Sequence, residues 1–468
     1  MEEKNMTSYK PKVVVIGAGS LFFGRQAIWQ MVHSEYLNKG TLALVDTNEE
    51  RLNKLMKLAR MVVKENKVDL KIEGSVDRRK VLKDADFVVL SFAEDTVKYR
   101  GIDCAVSEKY GIRMCSGDTI GPGGIFRAMR ELPVIMDCAR DIEAICPEAW
   151  VINYINPSTV HGIALKRYAP NLKSFALCDS HHMPHKKIIY AKRAGIIQDI
   201  SEYTEEIDSK FDIRIAGVNH FTWLLKAAYE GMNVLPSIAN SMKRSAETET
   251  VGGDTGAKAL FNDAISYQLY DIFGYVPTCT AHTKEYVPYW QGLGKLKDAI
   301  PPLSIWETED RYQRHADMWR QVDSFLSGET PINEYMTSFA PDHATDIIEN
   351  MVGGLGKPFY INTFNEGAVT NMNNDAFLEL LCEVTMDGVK PLPVGEMPRG
   401  IRGMQELVLD THELTAEAVI EGSREKLRRA MLTDPLVNSI ADADQMINEL
   451  LELEKEMIPE HWYSKSFA

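Results

Sequence analysis

Residues 12–20 of the chain read KVVVIGAGS, a run of β-branched residues that ends in two glycines. The unbroken apolar run predicts a strand that is buried on both faces. Gly17 permits a sharp turn, and Gly19 has no side chain to keep a pyrophosphate away from the backbone. The segment 21–33 then predicts a helix, whose first N–H groups would face the phosphates. This strand, turn and helix therefore predict a dinucleotide-binding α/β domain.

The cofactor turn is paired with an acidic residue at the end of the next apolar run. Asp46 follows residues 42–45 and lies 27 residues after Gly19. An acid at this place can accept hydrogen bonds from both ribose hydroxyls of NAD, and it would repel the 2′-phosphate of NADP. The third glycine of the usual pattern would fall at Phe22, so a tight turn with a helix-capping aspartate is the alternative. The predicted cofactor-binding residues of this turn are Gly17, Ala18, Gly19, Ser20 and Asp46.

Outward from this turn, buried strands alternate with helices as far as residue 180. That alternation predicts a doubly wound parallel sheet of the Rossmann-like α/β class. Beyond about residue 200 the pattern is mixed and closes with two predicted amphipathic helices, at 413–431 and 441–457. We therefore predict an NAD-binding domain over residues 1–200 and, over residues 201–468, a C-terminal α+β lobe for substrate, metal and oligomerisation.

Charge and composition exclude several classes of protein. The 468 residues carry 52 basic and 67 acidic side chains, a net charge of −15, which disfavours nucleic acid as a partner. No apolar run approaches the roughly 18 residues that a membrane span needs. The beginning of the chain has no apolar segment of the signal-peptide kind. Seven cysteines without a CxxC pair do not form a disulfide framework, so we expect a reducing cytoplasm.

Four further motifs place polar side chains at predicted strand ends or at a glycine-rich corner. Open α/β sheets bind ligands at the carboxyl ends of their strands, so these motifs predict one shared crevice. Cys178 and His220 are plausible metal ligands that would leave positions open for substrate oxygens. From residue types alone, a small buried cysteine and a satisfied core histidine are the alternative. The motifs are Asp118-Thr-Ile-Gly-Pro-Gly-Gly124, Asn153-Tyr-Ile-Asn156-Pro157, Cys178-Asp179-Ser180 and Gly217-Val-Asn219-His220.

Together and in this order, the cofactor turn and these four motifs resemble glycoside hydrolase family 4, the NAD- and Mn²⁺-dependent glycosidases. This family is an exception to hydrolysis by two carboxylates. The resemblance extends from about residue 12 to at least residue 370, and it implies a fold like that of lactate and malate dehydrogenases. It also implies a small-molecule glycoside as substrate and a homodimer or homotetramer as assembly.

The resemblance implies a redox-neutral mechanism. NAD⁺ takes a hydride from C3 of the sugar, which acidifies the proton on C2. A tyrosine removes that proton, and the glycosidic oxygen leaves by elimination. Water adds to the double bond, and NADH returns the hydride. A divalent metal on O2 and O3 polarises these oxygens as a Lewis acid.

The resemblance also assigns roles to particular residues. Cys178 and His220 would bind the metal, Asp179 would be the general acid, and Tyr286 rather than Tyr289 would be the base. Packing is the alternative role for this aromatic cluster. The remaining predicted site residues are Asn153 for the cofactor, and Asn156, Asp118, Asn219 and Arg100 for the substrate. Arg100 would bind a phosphate or a uronate, and a solvated helix arginine is the alternative.

The identity of the sugar stays open at this point. Asp179 after the cysteine is typical of the family's 6-phospho-α-glucosidases, whereas residues 118–130 and 153–157 resemble the α-galactosidase and uronidase branch. We therefore predict hydrolysis of α-linked hexosides or uronides. A lactate- or malate-type dehydrogenase is the second hypothesis, and the many residues after His220 favour the glycosidase over it. A catalytically inactive NAD-binding sensor is the third.

Overall fold

The computed structural model describes residues 9–21, 23–114, 116–248, 253–254, 257–258, 262–291, 307–339 and 341–463. Strands and helices alternate through the first part of the chain. In order they are β1 (Lys12–Ile16), α1 (Gly24–His33), β2 (Thr41–Val45), α2 (Glu49–Asn66), β3 (Lys71–Ser75), β4 (Phe87–Leu90), α3 (Thr96–Lys109), α4 (Gly121–Ile145), β5 (Trp150–Asn153), α5 (Ser158–Tyr168), β6 (Lys173–Ala176) and α6 (His185–Ala194).

The second part of the chain is mixed. Its elements are α7 (Glu205–Lys210), β7 (Phe211–Ala216), β8 (Trp223–Tyr229), β9 (Met232–Asn233), α8 (Leu235–Thr248), β10 (Gly253–Asp254), β11 (Ala257–Lys258), α9 (Asn262–Phe273), β12 (Val276–Pro277), α10 (Thr280–Thr283), α11 (Thr308–Ser327), α12 (Ile332–Tyr335), α13 (His343–Gly353), β13 (Pro358–Phe364), β14 (Phe377–Val384), β15 (Val389–Pro391), α14 (Arg399–Glu421), α15 (Arg424–Thr433) and α16 (Ile440–Leu453).

Within the described ranges, one sheet of nine strands has the order β15-β14-β13-β6-β5-β4-β1-β2-β3. The six strands from β3 to β6 are parallel, and their order 3-2-1-4-5-6 is that of a doubly wound dinucleotide-binding fold. The prediction of an α/β fold with a Rossmann-like parallel sheet and a mixed second lobe is confirmed. The predicted boundary at residue 200 stays a prediction, since β13 pairs antiparallel with β6 and carries the sheet into the later part of the chain.

The central strand β1 explains why the sequence around it does not alternate. Val13 and Val15 belong to one buried cluster, whereas Val14 and Ile16 belong to the cluster on the opposite face. Helices cover both faces, so every side chain of the strand after Lys12 is buried. Among the described helices, none combines the length and the apolar character that crossing a membrane requires.

A smaller antiparallel sheet lies beside the large one and carries the turn that contains His220. Its order is β12-β8-β7, with β9 paired to β8. The turn between β7 and β8 contains Gly217 to His220, and Gly217 also bridges to Glu379 of β14. This turn is thereby held against the edge of the main sheet.

Two predicted helix boundaries were wrong. The first helix begins at Gly24 rather than near residue 21, because a 3₁₀ turn over Ala18–Ser20 comes first. A side chain at Gly24 would lie 2.3 Å from the carbonyl oxygen of Ala18, so only glycine lets the helix begin this close to the turn. The predicted helix over 413–431 is two helices, since Gly422 ends α14 with a φ of 62° and Ser423 caps α15.

Two buried histidines make the fold sensitive to acid. Burial lowers the pKa of His161 to about 3 and that of His412 to about 4. Histidine in an unfolded chain titrates near 6.5. As the pH falls from about 6.5 toward 4, the unfolded state therefore binds protons that the folded state does not, and stability decreases.

The variant His412→Gln tests this effect, because an amide can still donate to the carbonyl oxygen of Thr119, which lies 3.0 Å from Nε2 of His412. Between pH 7.5 and pH 5 we expect the variant to lose roughly 2 kcal/mol less unfolding free energy than the wild type. Urea unfolding at both pH values measures the difference. Equal losses in the two proteins would contradict the assignment.

Candidate active site

The cofactor turn has the close approaches that a dinucleotide site requires. Gly17 adopts a φ of 89°, and a side chain there would lie 2.3 Å from the carbonyl oxygen of Ser91. The backbone N–H of Gly19 donates to Asp46 Oδ2 at 2.7 Å, and a side chain at Gly19 would lie 2.6 Å from the same oxygen. Asn48, not Asp46, caps α2 by accepting from the N–H of Arg51. This removes the helix-capping alternative, and the contact of these residues with NAD stays a prediction.

Asn153 lies at the carboxyl end of β5, where both ends of its amide bind the backbone of Ile155. Its Oδ1 accepts from the N–H of Ile155 at 3.2 Å, and its Nδ2 donates to the carbonyl oxygen of the same residue at 3.0 Å. The side chain is fully buried and shapes the turn that leads to Asn156. Its predicted contact with the cofactor stays a prediction.

Asp118 is a buried carboxylate held by two arginines. Arg100 lies 3.3 Å and Arg127 3.1 Å from Asp118 Oδ2, and Asn156 Nδ2 donates to the same oxygen at 3.3 Å. Burial by itself would raise the pKa of Asp118, but Arg100 and Arg127 more than offset it and hold the pKa below the ordinary value. Arg100 also donates to the carbonyl oxygen and hydroxyl of Ser116. Its side chain is only 14% exposed and pairs with Asp118, which excludes the solvated alternative, and its anion-binding role stays a prediction.

The predicted metal ligands lie in a cluster larger than the sequence indicated. The donor atoms of His220, Cys279 and His282 all lie within 4.8 Å of one another. Cys178 joins them through Ser180, because Ser180 Oγ is 3.1 Å from Cys178 Sγ and 3.1 Å from Cys279 Sγ. The rings of His220 and His282 stack with centroids 4.1 Å apart. We name Cys178, His220, Cys279 and His282 the Cys–His cluster.

His220 is held in an unusual conformation. Its φ of 63° is in the left-handed region that non-glycine residues rarely adopt. The amide of Gln405 fixes the turn by accepting from the N–H of Val218 at 2.6 Å and donating to the carbonyl oxygen of Phe221 at 2.8 Å. Nδ1 of His220 is buried and has no hydrogen-bond partner among the described residues. The turn therefore places in the cluster an imidazole whose Nδ1 has no hydrogen-bond partner among the described residues.

A buried polar network connects the loops that carry the cluster. Glu379 Oε1 lies 2.5 Å from His181 Nδ1, and the N–H of Glu379 donates to the carbonyl oxygen of Gly217 at 2.7 Å. His181 Nε2 lies 2.9 Å from the hydroxyl of Thr278, which lies 2.6 Å from the hydroxyl of Thr222. The network therefore reaches to within three residues of Cys178 and His220 and to the residue directly before Cys279.

Tyr286 and Tyr289 have very different surroundings. Tyr286 is 1% exposed, stacks on Phe221, and donates its hydroxyl to the carbonyl oxygen of Asn219 at 2.9 Å. Tyr289 is 48% exposed, and its hydroxyl contacts Met404. Burial raises the pKa of Tyr286 well above its ordinary value, so a base at this place needs positive charge nearby. This geometry favours Tyr286 as the base, and that role stays a prediction.

Three residues that the sequence did not single out belong to the site. Cys279 precedes the short helix α10 and His282 lies within it, and Glu285 accepts from the N–H groups of Ser116 and Gly117 at 2.6 and 3.2 Å. The signal that could have found them is the spacing C-x-x-H-x-x-E immediately before Tyr286. The side chain of Asp179, the predicted general acid, lies outside the described residues.

A doubly wound sheet with a dinucleotide turn, and a cluster of cysteines and histidines near its strand ends, is typical of dinucleotide-binding α/β enzymes. Two family models match this chain: Family 4 glycosyl hydrolase over residues 12–193 and Family 4 glycosyl hydrolase C-terminal domain over residues 215–437. The chain belongs to family 4 of the glycosyl hydrolases.

Relatives cover nearly the whole chain. An alpha-galactosidase of Bacillus subtilis (strain 168) is 28% identical over 96% of this chain and 99% of its own length. An alpha-galacturonidase of Thermoanaerobacter italicus is 26% identical over 96% of this chain and 97% of its own length. The structure of a 6-phospho-alpha-glucosidase from gut microorganisms, in complex with NAD and Mn²⁺, matches with a TM-score of 0.78 and 20% identity over 97% of this chain and all of that one.

The predicted class of enzyme, a glycoside hydrolase of family 4, is confirmed by these matches. The predicted cofactors, NAD and Mn²⁺, are those that the related structure contains. Family membership decides against the dehydrogenase hypothesis.

The variant Asp118→Asn removes the charge that Arg100 and Arg127 share. Because both arginines are largely buried, we expect a loss of about 3–5 kcal/mol in the free energy of unfolding. The matched control is Asp444→Asn, which breaks an exposed pair with Arg428 and should cost less than about 1 kcal/mol. Chemical unfolding at pH 7 compares the two, and equal costs would show that the Asp118 pairs are effectively solvated.

Proposed function

We propose that this protein hydrolyses α-linked hexosides or uronides through reversible oxidation of the sugar, with NAD and a divalent metal as resident cofactors. The observation that carries the proposal is the convergence of Cys178, His220 and Tyr286 around one crevice at the carboxyl edge of the sheet. Family membership and full-length similarity to an alpha-galactosidase and an alpha-galacturonidase support the substrate class.

The described residues fit both cofactors. Gly17 and Gly19 form a cradle that any side chain would fill, and Asp46 is fixed at its edge for a ribose. The unpartnered Nδ1 of His220 and the thiol of Cys178 are donors suited to a divalent cation. When bound, NAD supplies reversible hydride transfer at a sugar carbon, and the metal supplies a Lewis acid for the sugar oxygens.

The remaining steps belong to side chains of the crevice. Tyr286 removes the proton from C2, because its hydroxyl lies beside Asn219 and next to the Cys–His cluster. Asp179, directly after Cys178, protonates the leaving oxygen. Asn156 and Asp118 hold sugar hydroxyls, and the buried amide oxygen of Asn219, unpartnered within the described residues, has capacity for another. Arg100 lies beside Asp118 and would favour a substrate that carries a carboxylate or a phosphate.

Hydrolysis of a panel of 4-nitrophenyl glycosides tests the proposed activity. The panel contains α- and β-hexosides, uronides and 6-phosphates, assayed in D₂O with NAD⁺, Mn²⁺ and a reductant, each omitted in turn. We expect release from an α-glycoside that requires both NAD⁺ and metal, with deuterium at C2 of the product. Steady NADH formation without release would contradict the proposal.

Two pairs of variants test the assigned residues. Cys178→Ser should weaken metal binding and abolish activity while NAD binding is kept, and Cys146→Ser, a buried cysteine elsewhere, is the control. Tyr286→Phe should lower kcat by at least ~10²-fold, the usual contribution of a general base, and abolish exchange at C2. Tyr289→Phe should change neither. Full exchange at C2 in Tyr286→Phe would assign the base elsewhere.

We also propose a homodimer or homotetramer in the cytoplasm. The family resemblance supports the assembly, and the six described cysteines, all free, support a reducing compartment.

A further inference from the structure

The Cys–His cluster contains more donor atoms than the pair Cys178 and His220 that the family resemblance implies. Cys279 Sγ lies with His220 and His282 in one group whose donor atoms are all within 4.8 Å of one another. Cys178 and Cys279 contact the same hydroxyl, that of Ser180, at 3.1 Å each. Two thiols and two imidazoles therefore face one small volume.

Packing alone does not account for this arrangement. Buried polar atoms are normally hydrogen-bonded, because an unpaired buried donor or acceptor costs free energy. Yet Nδ1 of His220, a residue only 7% exposed, has no hydrogen-bond partner within the described chain. The backbone of His220 is in the left-handed region, and the hydrogen bonds of Gln405 stabilise this conformation. A bound cation would supply a partner for Nδ1.

A buried carboxylate lies close to His282. Its Nδ1 lies 3.8 Å from Glu285 Oε2, while the other carboxylate oxygen of Glu285 accepts from the backbone of Ser116 and Gly117. A carboxylate hydrogen-bonded to a histidine ring orients the opposite nitrogen toward a metal and increases its basicity. At 3.8 Å the two atoms are beyond hydrogen-bond distance, so Glu285 places a negative charge beside the ring, and Nδ1 of His282, like that of His220, has no hydrogen-bond partner within the described residues.

We propose that Cys279 and His282 bind the same divalent cation as Cys178 and His220, which makes the site a two-sulfur, two-nitrogen centre. This inference rests on the metal site of the proposed function and extends it to ligands that neither the motifs nor the relatives assign. On a six-coordinate ion, four protein ligands leave two positions for two neighbouring sugar hydroxyls. On a tetrahedral ion, four protein ligands occupy every position and leave none for the substrate.

The proposal has a consequence for metal preference. Thiolates select softer ions, and Mn²⁺ is the weakest binder of the first-row divalent series. We therefore expect Zn²⁺ to bind more tightly than Mn²⁺ and to inhibit, because four protein ligands satisfy it. Removal of Cys279 should weaken Zn²⁺ binding by more than tenfold and relieve the inhibition.

Titration of the metal-free protein with Co²⁺, in the presence of NAD⁺ and a phosphine reductant, tests the ligand set by absorption spectroscopy. The near-ultraviolet thiolate-to-cobalt band reports the number of bound thiolates independently of catalysis. We expect one Co²⁺ per chain, a band about halved in Cys178→Ser and in Cys279→Ser, none in the double variant, and no change in the control Cys146→Ser. The reductant keeps Cys178 and Cys279 from forming a disulfide.

The outcomes separate the inference from the proposed function. A band unchanged in Cys279→Ser but lost in Cys178→Ser would overturn the inference and leave the proposed metal site in place. No binding of Co²⁺ to the wild type would overturn both. If Cys279→Ser does not fold, X-ray absorption of the Zn²⁺-loaded wild type counts the sulfur neighbours directly. Two sulfurs support the inference, and one contradicts it.

Discussion

The contact between Glu379 and His181 is the constraint on which the crevice depends. Glu379 comes from β14, far along the chain, yet its carboxylate binds His181 and its backbone binds Gly217. His181 in turn contacts Thr278, so the network fixes the loops that carry all four members of the Cys–His cluster. Buried polar networks of this kind are rigid when their members are paired, because the low local dielectric strengthens each bond. Glu379 of β14 therefore helps to set the positions of Cys178, which follows β6, and of the three later members of the cluster.

Sequence patterns predicted the cofactor half of the molecule because its signals are local. The apolar run of β1, the glycine turn and Asp46 each follow from backbone sterics or from burial on both faces of a sheet. The placement of Cys178 and His220 near one another was predicted for a similar reason, since polar residues at strand ends meet at one edge of an open sheet. The start of α1 at Gly24 and the break at Gly422 were missed, although both glycines were visible in the sequence.

Other parts of the site depend on tertiary contacts that no local pattern reports. Cys279 and His282 lie at the start of and within a helix of one turn, which has no periodicity to detect. The pairing of Asp118 with Arg100 joins the start of α4 to α3, and nothing in the spacing distinguishes it from a solvated arginine. The position of Tyr286 follows from its stacking on Phe221. For these residues the sequence shows which functional groups are present, but only the folded structure shows which of them are in contact.

The continuity of the large sheet has a kinetic consequence. β13 pairs with β6 two residues before Cys178, and β14 bonds to Gly217 three residues before His220. A swing of the later part of the chain away from the cofactor domain would break main-chain hydrogen bonds beside the cluster. Hinge closure, by which many two-lobed enzymes admit their substrates, would therefore carry a main-chain cost here that it does not carry where flexible linkers alone join the lobes.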